Sequence, residues 1–211
     1  MRLLTASRQS PSIVSDCLLT MPRHRFTNTR DRIETAAVHL FVDKGVADTT
    51  VRDIAKALEM SEGALYRHFP SKEQLVWQVF ERHYIEFAGR LLKLAETESS
   101  TRGKLAAMIR GFCRAYDENP RLFRFLLFVQ HDQLGKLAPD TPTPVEAVRM
   151  VIGSGIASGE LPPQNPDLAT SLVFGVVLQP VQFAAYGRLP ADMGAVSERL
   201  VAAAWAAVST V

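Results

Sequence analysis

The chain is poor in the residues that most catalytic and scaffold chemistries need. It has only two cysteines in 211 residues, Cys17 and Cys113. They stand far apart and without partners at metal spacing, which argues against a disulfide scaffold and suits a reducing compartment. There is no Gly-rich phosphate loop, no nucleophile elbow and no His, Cys and Asp set at ligand spacing. An enzyme is therefore not expected, and no cofactor or metal is implied. Excess charge of one sign is also lacking: 24 Lys and Arg against 22 Asp and Glu leave a net charge of +2. Any contact with nucleic acid must come from local placement of charge, not from bulk basicity. No apolar run reads as long enough to cross a bilayer, and Asp16 interrupts Ile13 to Leu19, so neither a membrane partner nor a secretion signal is expected. Period-two alternation is missing too, so no strand and no internal repeat is expected.

What remains is helical periodicity in a chain that is 47% apolar, enough for one large or two small cores. The densest signal is Thr50 to Phe69, TVRDIAKALEMSEGALYRHF. Thr50 and Asp53 have the spacing of a capping box. Val51, Ile54, Ala55 and Leu58 fall on one helical face. Ser61 can cap a second helix whose Leu65 and Phe69 face inward. Only Glu59 and Met60 lie between, so the pair reads as a helix-turn-helix whose short corner fixes the angle between its helices. The outward residues of the second helix are Glu62, Gly63, Tyr66, Arg67 and His68. Small residues at its start allow close approach, and a phenol, a guanidinium and an imidazole at its end offer phosphate donors. Lys72 follows at the start of the next helix, where amide donors and dipole favour an anion. On spacing alone the pair reads equally well as an ordinary helical hairpin with a solvated face.

The stretch Thr29 to Phe80 resembles the DNA-binding domain of the tetracycline-repressor (TetR) family of bacterial transcription regulators. The resemblance is carried by Ala36-Ala37, Phe41 with Gly45, and Thr49-Thr50-Val51-Arg52-Asp53-Ile54-Ala55. It continues through Ser61, Gly63, Leu65-Tyr66, His68-Phe69, Lys72 and Leu75. It implies DNA contacts from Thr50, Arg52, Met60, Ser61, Glu62, Gly63, Tyr66, Arg67, His68 and Lys72. Two residues depart from the pattern. Glu59 stands at the corner where the family usually carries Gly, whose left-handed backbone costs a residue with a Cβ about 1 kcal/mol. Glu62 would repel phosphate; it reads as a solvent-facing acid at a helix start, with a cytosine amino group as the alternative partner.

The residues before this stretch, Met1 to about Phe26, show no helical period and read as a flexible arm with a loose basic cluster at Arg23, His24, Arg25 and Arg30. Met21 is a second candidate start of translation. The first helix spans about Thr29 to Lys44 and ends at Gly45 in a left-handed cap. After Phe69-Pro70, Ser71 to Gln74 forms another capping box, and a long helix continues to about Ala95. Helical spacing then recurs over Leu105 to Tyr116 and over Arg121 to Leu137. Further helices run from Pro144 to Ser158, from Pro166 to about Gly187, and from Ala191 to Val211.

The fold expected is thus all-α with about nine helices. Residues 1–26 form the arm, 27–87 a DNA-binding domain with its motif at 50–69, and 88–211 a helical ligand-binding and dimerisation domain. Small apolar residues on the last two helices, Leu172, Val173, Val176, Val177, Val196, Leu200, Ala203 and Ala204, are candidates for a homodimer interface or for the core of one chain. Aromatic candidates for a lipophilic ligand pocket are Phe112, Tyr116, Phe123, Phe128, Phe174 and Phe183, with Gln130, His131, Gln179 and Gln182 as polar ones. Each aromatic also reads as plain core. Pro180 interrupts the eighth helix and frees a carbonyl beside Gln179 and Gln182. The resemblance implies a cytoplasmic bacterial regulator at the nucleoid, a dimeric repressor released from its operator by a small molecule. The alternatives are a ligand-responsive activator or a helical adaptor that ignores DNA.

Overall fold

The computed structural model describes residues 28–210. Among them are nine α-helices and no strand, the all-α class expected. They are α1 (Thr29–Lys44), α2 (Val51–Ala57), α3 (Glu62–Tyr66), α4 (Lys72–Glu96), α5 (Thr101–Glu118), α6 (Pro120–Gln133), α7 (Pro144–Ser158), α8 (Pro166–Ala185) and α9 (Ser197–Ser209). Short 3-10 turns follow α6 and precede α9. The chain divides into two compact units between Leu75 and Val76. The proposed basic arm, the Met21 start and Cys17 lie outside the described residues.

In the first unit, Asn28 caps α1 by accepting the Asp31 amide at 3.0 Å. Ile33, Ala37, Leu40 and Phe41 of α1 are buried with Ile54 and Ala55 of α2, and with Leu65 and Phe69. Burial of each large side chain contributes about 1.5–3 kcal/mol. Glu34 is also buried; it pairs with Arg30 Nε at 3.3 Å, and that guanidinium lies 4.9 Å from the Phe69 ring centre. The Thr50–Asp53 capping box is fully formed: the Thr50 hydroxyl accepts the Asp53 amide at 3.1 Å, and the carboxylate accepts the Thr50 amide at 2.9 Å. These bonds from Thr50, with Lys44 at 3.4 Å, hold the Asp53 carboxyl below its ordinary range.

The corner between α2 and α3 is a backbone structure. The Glu59 amide donates to Lys56 O at 3.2 Å and the Met60 amide to Ala55 O at 3.0 Å, the two bonds of a Schellman stop. That stop needs a left-handed residue, and Glu59 supplies it at φ 54°, where the family pattern has Gly. Ser61 then caps α3 by accepting the Ala64 amide at 3.2 Å. Gly45 does end α1, with its amide on Phe41 O at 3.0 Å, but at φ 90° and ψ 152°. This is extended backbone open only to Gly, not the expected left-handed cap. The loop after it is closed twice. The buried Thr49 hydroxyl reaches Gly45 O at 2.8 Å, and Lys72 Nζ donates to Val46 O at 2.8 Å and Ala47 O at 3.2 Å.

In the second unit, α5 is flanked by α7 and α9, and α8 packs against both of those. Its core includes Leu105, Ile109, Phe112, Tyr116, Ile152, Val173, Val181, Leu200 and Val208. Glu160 accepts the Thr101 amide at 2.8 Å, fixing the end of α7 over the start of α5; a Cβ on Gly155 would collide there with Thr101. Two helix bounds differ from expectation. The last helix begins at Ser197, not Ala191, because Asp117 accepts the Met193 and Gly194 amides at 2.8 Å each and holds them as a loop, with Met193 buried. The helix from Pro120 stops at Gln133, and Leu134–Lys136 winds on as a 3-10 turn. The expectation that no stretch is long enough to cross a bilayer is also corrected. By length and composition α8 qualifies, with 20 residues and a mean hydropathy of 1.6 over an 18-residue window, of which 28% is buried. Thr170-Ser171, Gln179 and Gln182 interrupt the apolar run on inspection yet barely lower the average.

Two substitutions test this account of the first unit. Glu59→Gly is expected to raise its stability in thermal melts by about 0.5–1 kcal/mol, by relieving the left-handed strain; an unchanged or lower melting point would mean that Glu59 bears none. Lys72→Met is expected to lower stability by about 1 kcal/mol through loss of the two carbonyl contacts. Equal melting curves for variant and parent would deny the tether.

Candidate nucleic-acid interface and ligand cavity

The outer surface of the corner collects the predicted DNA-facing residues. Thr50, Arg52, Ser61, Glu62, Gly63, Arg67 and His68 are exposed, and Tyr66 is 46% exposed. Met60 is half-buried. Leu65 and Phe69, the inward residues, are 1% and 0% exposed, so this short segment divides cleanly into a held side and a free side. The helix is shorter than its sequence pattern: α3 has five residues, Arg67 is its C-cap, and His68 and Phe69 lie beyond it. Lys72 differs most from its expected place. It is half-buried, and its ammonium is already occupied by the two carbonyls of the 46–47 loop. An ammonium has three protons, so a phosphate can share Lys72 only on top of this tether.

The second unit contains a cavity of about 390 Å³, within the roughly 300–1,000 Å³ typical of small-molecule sites. Its aromatic wall comes from α4, α5 and α6. Phe87, Phe112 and Phe123 meet edge to face, with ring centres 5.1–5.8 Å apart, each pair contributing about 0.5–1.5 kcal/mol beyond area. Leu126, Leu127, Phe174 and Leu178 add apolar surface. Leu134, Val145, Asp167 and Ser171 also line the cavity but are exposed, and so form its rim. Tyr84 lines it from α4, with its ring stacked on Phe80 at 4.8 Å. Burial pushes its phenol up to about 12, so the hydroxyl keeps its proton. The nearby core thiol of Cys113 is likewise pushed up by burial, to about 11, which leaves it unreactive. Among the described residues no three His, Cys, Asp or Glu side chains come together to hold a metal ion.

Of the ten pocket candidates, Phe112, Phe123, Phe174 and Gln130 line the cavity. The others are corrected. Tyr116 is 2% exposed and packs behind Phe123 at 6.1 Å, in the core. Phe128 is 54% exposed beneath Arg124, because it falls on the face of α6 opposite Phe123. His131 and Gln179 are exposed, Phe183 is 44% exposed, and Gln182 is half-buried outside the cavity; the lining residues of α8 all precede Pro180. Sequence reasoning missed Asp167, Thr170 and Ser171, which look like an ordinary helix start. It also missed Leu134, Pro144 and Val145, which only tertiary contact brings to the rim. Tyr84 had a signal, an inward polar aromatic, but its periodicity read as core.

The dimer candidates also divide. Val173, Val177, Leu200 and Ala204 are 0–8% exposed and belong to the chain's own core, where α9 packs on α8 and α5. They are thus unavailable to a second chain. Leu172 and Ala203 are exposed, and Val176 and Val196 half-buried. On α8 the exposed apolar set also includes Leu168 and Phe183. The inward and outward residues alternate at helical spacing, so one helix serves two faces.

The description of bacterial regulatory proteins of the tetR family matches residues 33–79, which span α1 to the first half of α4. The HTH-type transcriptional repressor KstR2 of Mycolicibacterium smegmatis is 30% identical over 155 residues, 69% of this chain and 72% of its own. Two solved structures share the fold. A TetR family transcription regulator from Marinobacter aquaeolei superposes with a TM-score of 0.70 at 23% identity, over 86% of this chain and 96% of its own. The regulator FadR from Bacillus subtilis in complex with stearoyl-CoA gives a TM-score of 0.67 at 19% identity, over 82% and 96%. With the helix-turn-helix and its exposed corner, these likenesses establish that the chain belongs to the TetR family and is a DNA-binding transcriptional regulator.

Proposed function

We propose that the protein is a homodimeric repressor that reads a two-fold operator through α3 and leaves it when a lipophilic molecule enters the second unit. The observation that carries this is the exposed edge from Ser61 to His68, held on a rigid corner by the buried Leu65 and Phe69. Met60, Ser61, Glu62 and Gly63 are assigned to base edges in the major groove. Thr50, Arg52, Tyr66, Arg67 and His68 are assigned to phosphates, and Lys72 gives at most a shared contact beside its tether. The buried Phe87–Phe112–Phe123 wall supports an apolar ligand. The stearoyl-CoA complex of the Bacillus FadR supports this fold's capacity for a guest with a long apolar chain. By linkage, a ligand that prefers a conformation unfit for the operator weakens DNA binding by the same free energy. The site of action is the bacterial cytoplasm, at the nucleoid.

A second chain covers the outer faces of α8 and α9. Leu168, Leu172 and Phe183 are 60%, 42% and 44% exposed on the most apolar helix of the chain, a patch unusual for a monomer. The exposed alanines of α9, Ala202, Ala203 and Ala206, allow close helix approach.

A duplex selected from a randomised library is expected to bind two chains with an affinity that falls steeply between about 50 and 200 mM salt. Failure to select any duplex, or salt-independent binding, would leave the adaptor reading. In the same assay Tyr66→Phe and His68→Ala are expected to weaken all duplexes alike, whereas Ser61→Ala changes the order of preference. Leu172→Glu places a charge in the proposed interface. Sedimentation is expected to report a single-chain mass with helix content intact, and operator affinity to drop at least about tenfold. A Leu172→Glu protein that stays dimeric would place the interface elsewhere.

A further inference from the structure

The cavity has two polar side chains with nothing to bond. Tyr84 is 7% exposed and lines the cavity, and its hydroxyl makes no hydrogen bond among the described residues. Gln130, half-buried on α6, brings a carboxamide that also has no partner there. The remaining polar residues of the lining are occupied. The Thr170 hydroxyl donates to Pro166 O and the Ser171 hydroxyl to Leu168 O, both at 2.7 Å. Asp167 accepts from Arg149 Nε at 2.6 Å, and Glu146 stands 3.9 Å from the same guanidinium.

This pattern selects a ligand. The lining holds no cation to receive a carboxylate or phosphate, and the guanidinium of Arg149, which lies outside the lining, is already paired with the rim residue Asp167. A pure hydrocarbon would bury the Tyr84 hydroxyl and the Gln130 amide without partners, which is the most costly way to leave a polar group. An uncharged oxygen satisfies both, since Tyr84 has one proton to give and Gln130 two.

We propose that the ligand is an uncharged apolar skeleton carrying a carbonyl or hydroxyl oxygen, and that Tyr84 on α4 and Gln130 on α6 hydrogen-bond that oxygen. The proposal rests on the reading of this cavity as the ligand site. Both residues then set specificity, the aromatic wall supplying affinity that does not discriminate among apolar guests.

Three probes of matched shape separate the possibilities: 2-acetylnaphthalene, 2-ethylnaphthalene and 2-naphthoate, titrated calorimetrically into the full chain. The ketone is expected to bind about tenfold tighter than the ethyl compound, with the naphthoate weakest. In Tyr84→Phe and Gln130→Leu the preference is expected to shrink, and in the double variant to fall below about twofold, while the ethyl compound binds no worse. Unliganded Tyr84→Phe is expected to melt no lower than the parent, since a merely structural hydroxyl would be missed. Equal binding of ketone and ethyl compound, a preference that survives the double variant, or tighter binding of the naphthoate overturns the proposal while leaving the cavity as a site. Absence of binding by all three removes both the proposal and the ligand-site reading.

Discussion

A recognition helix is useful only if its angle is fixed before it meets DNA, and α3 is too short to fix its own. Five residues give barely one hydrogen-bonded turn, well below the length at which a helix is stable alone. Its position comes instead from outside. The two backbone bonds around Glu59 set where α2 stops and α3 starts, and Leu65 and Phe69 lock the inner side against α1 and α2. The same economy appears on the other side of the motif. Thr49 and Lys72 close the 45–49 loop, so that both entry and exit of the helix pair are pinned by side chains reaching across the first unit. Glu62, Gly63, Arg67 and His68 on the free side make none of these holding contacts, and that leaves them open to the proposed operator.

The second unit solves a different problem with the same helical grammar. Its helices bury one face in a shared core, yet α8 is apolar nearly all round. A helix of that kind must find two hydrophobic neighbours. Ala169, Val173, Val177 and Val181 face α9 and the core, and Phe174 and Leu178 face the cavity. Leu168 and Leu172 are left outward. One helix thus supplies core, cavity wall and an uncovered apolar strip. This is why Val173 and Val177 could not be told from Leu172 and Val176 as interface residues by composition alone.

Much of the first unit was legible because its signals are local. Thr50 to Asp53, Ser61 and Gly45 each state a cap or a stop within four residues, and the structure forms an element boundary at each, whereas the stop expected at Phe69-Pro70 comes earlier, after Tyr66. At Glu59 the left-handed position was legible only through the family resemblance, which puts Gly there, and φ 54° shows that Glu59 adopts it. The tether at Lys72 was not, because it depends on carbonyls 25 and 26 residues away. The second unit was legible only in helix number and approximate span. Asp117 holding the loop before α9 lies 76 residues from Met193, and nothing near either residue announces the other. The cavity failed in the same way. Phe123 and Phe128 are identical in kind and five apart, and only the rotation of α6 against α4 and α5 decides that one is wall and the other solvent-facing.

Regulation adds a constraint that the apolar wall cannot meet by itself. A ligand shifts a conformational equilibrium only by the difference between its affinities for the two states; moving it tenfold takes about 1.4 kcal/mol of difference. Dispersion with Phe87, Phe112 and Phe123 changes gradually as rings slide, so it distinguishes neighbouring conformations poorly. Hydrogen bonds fail steeply with distance and angle. A polar pair split between α4 and α6 is therefore the part of the cavity most able to tell one arrangement of those helices from another. Tyr84 also stands on the same continuous helix that opens with Lys72, whose ammonium is fastened to the loop before α2.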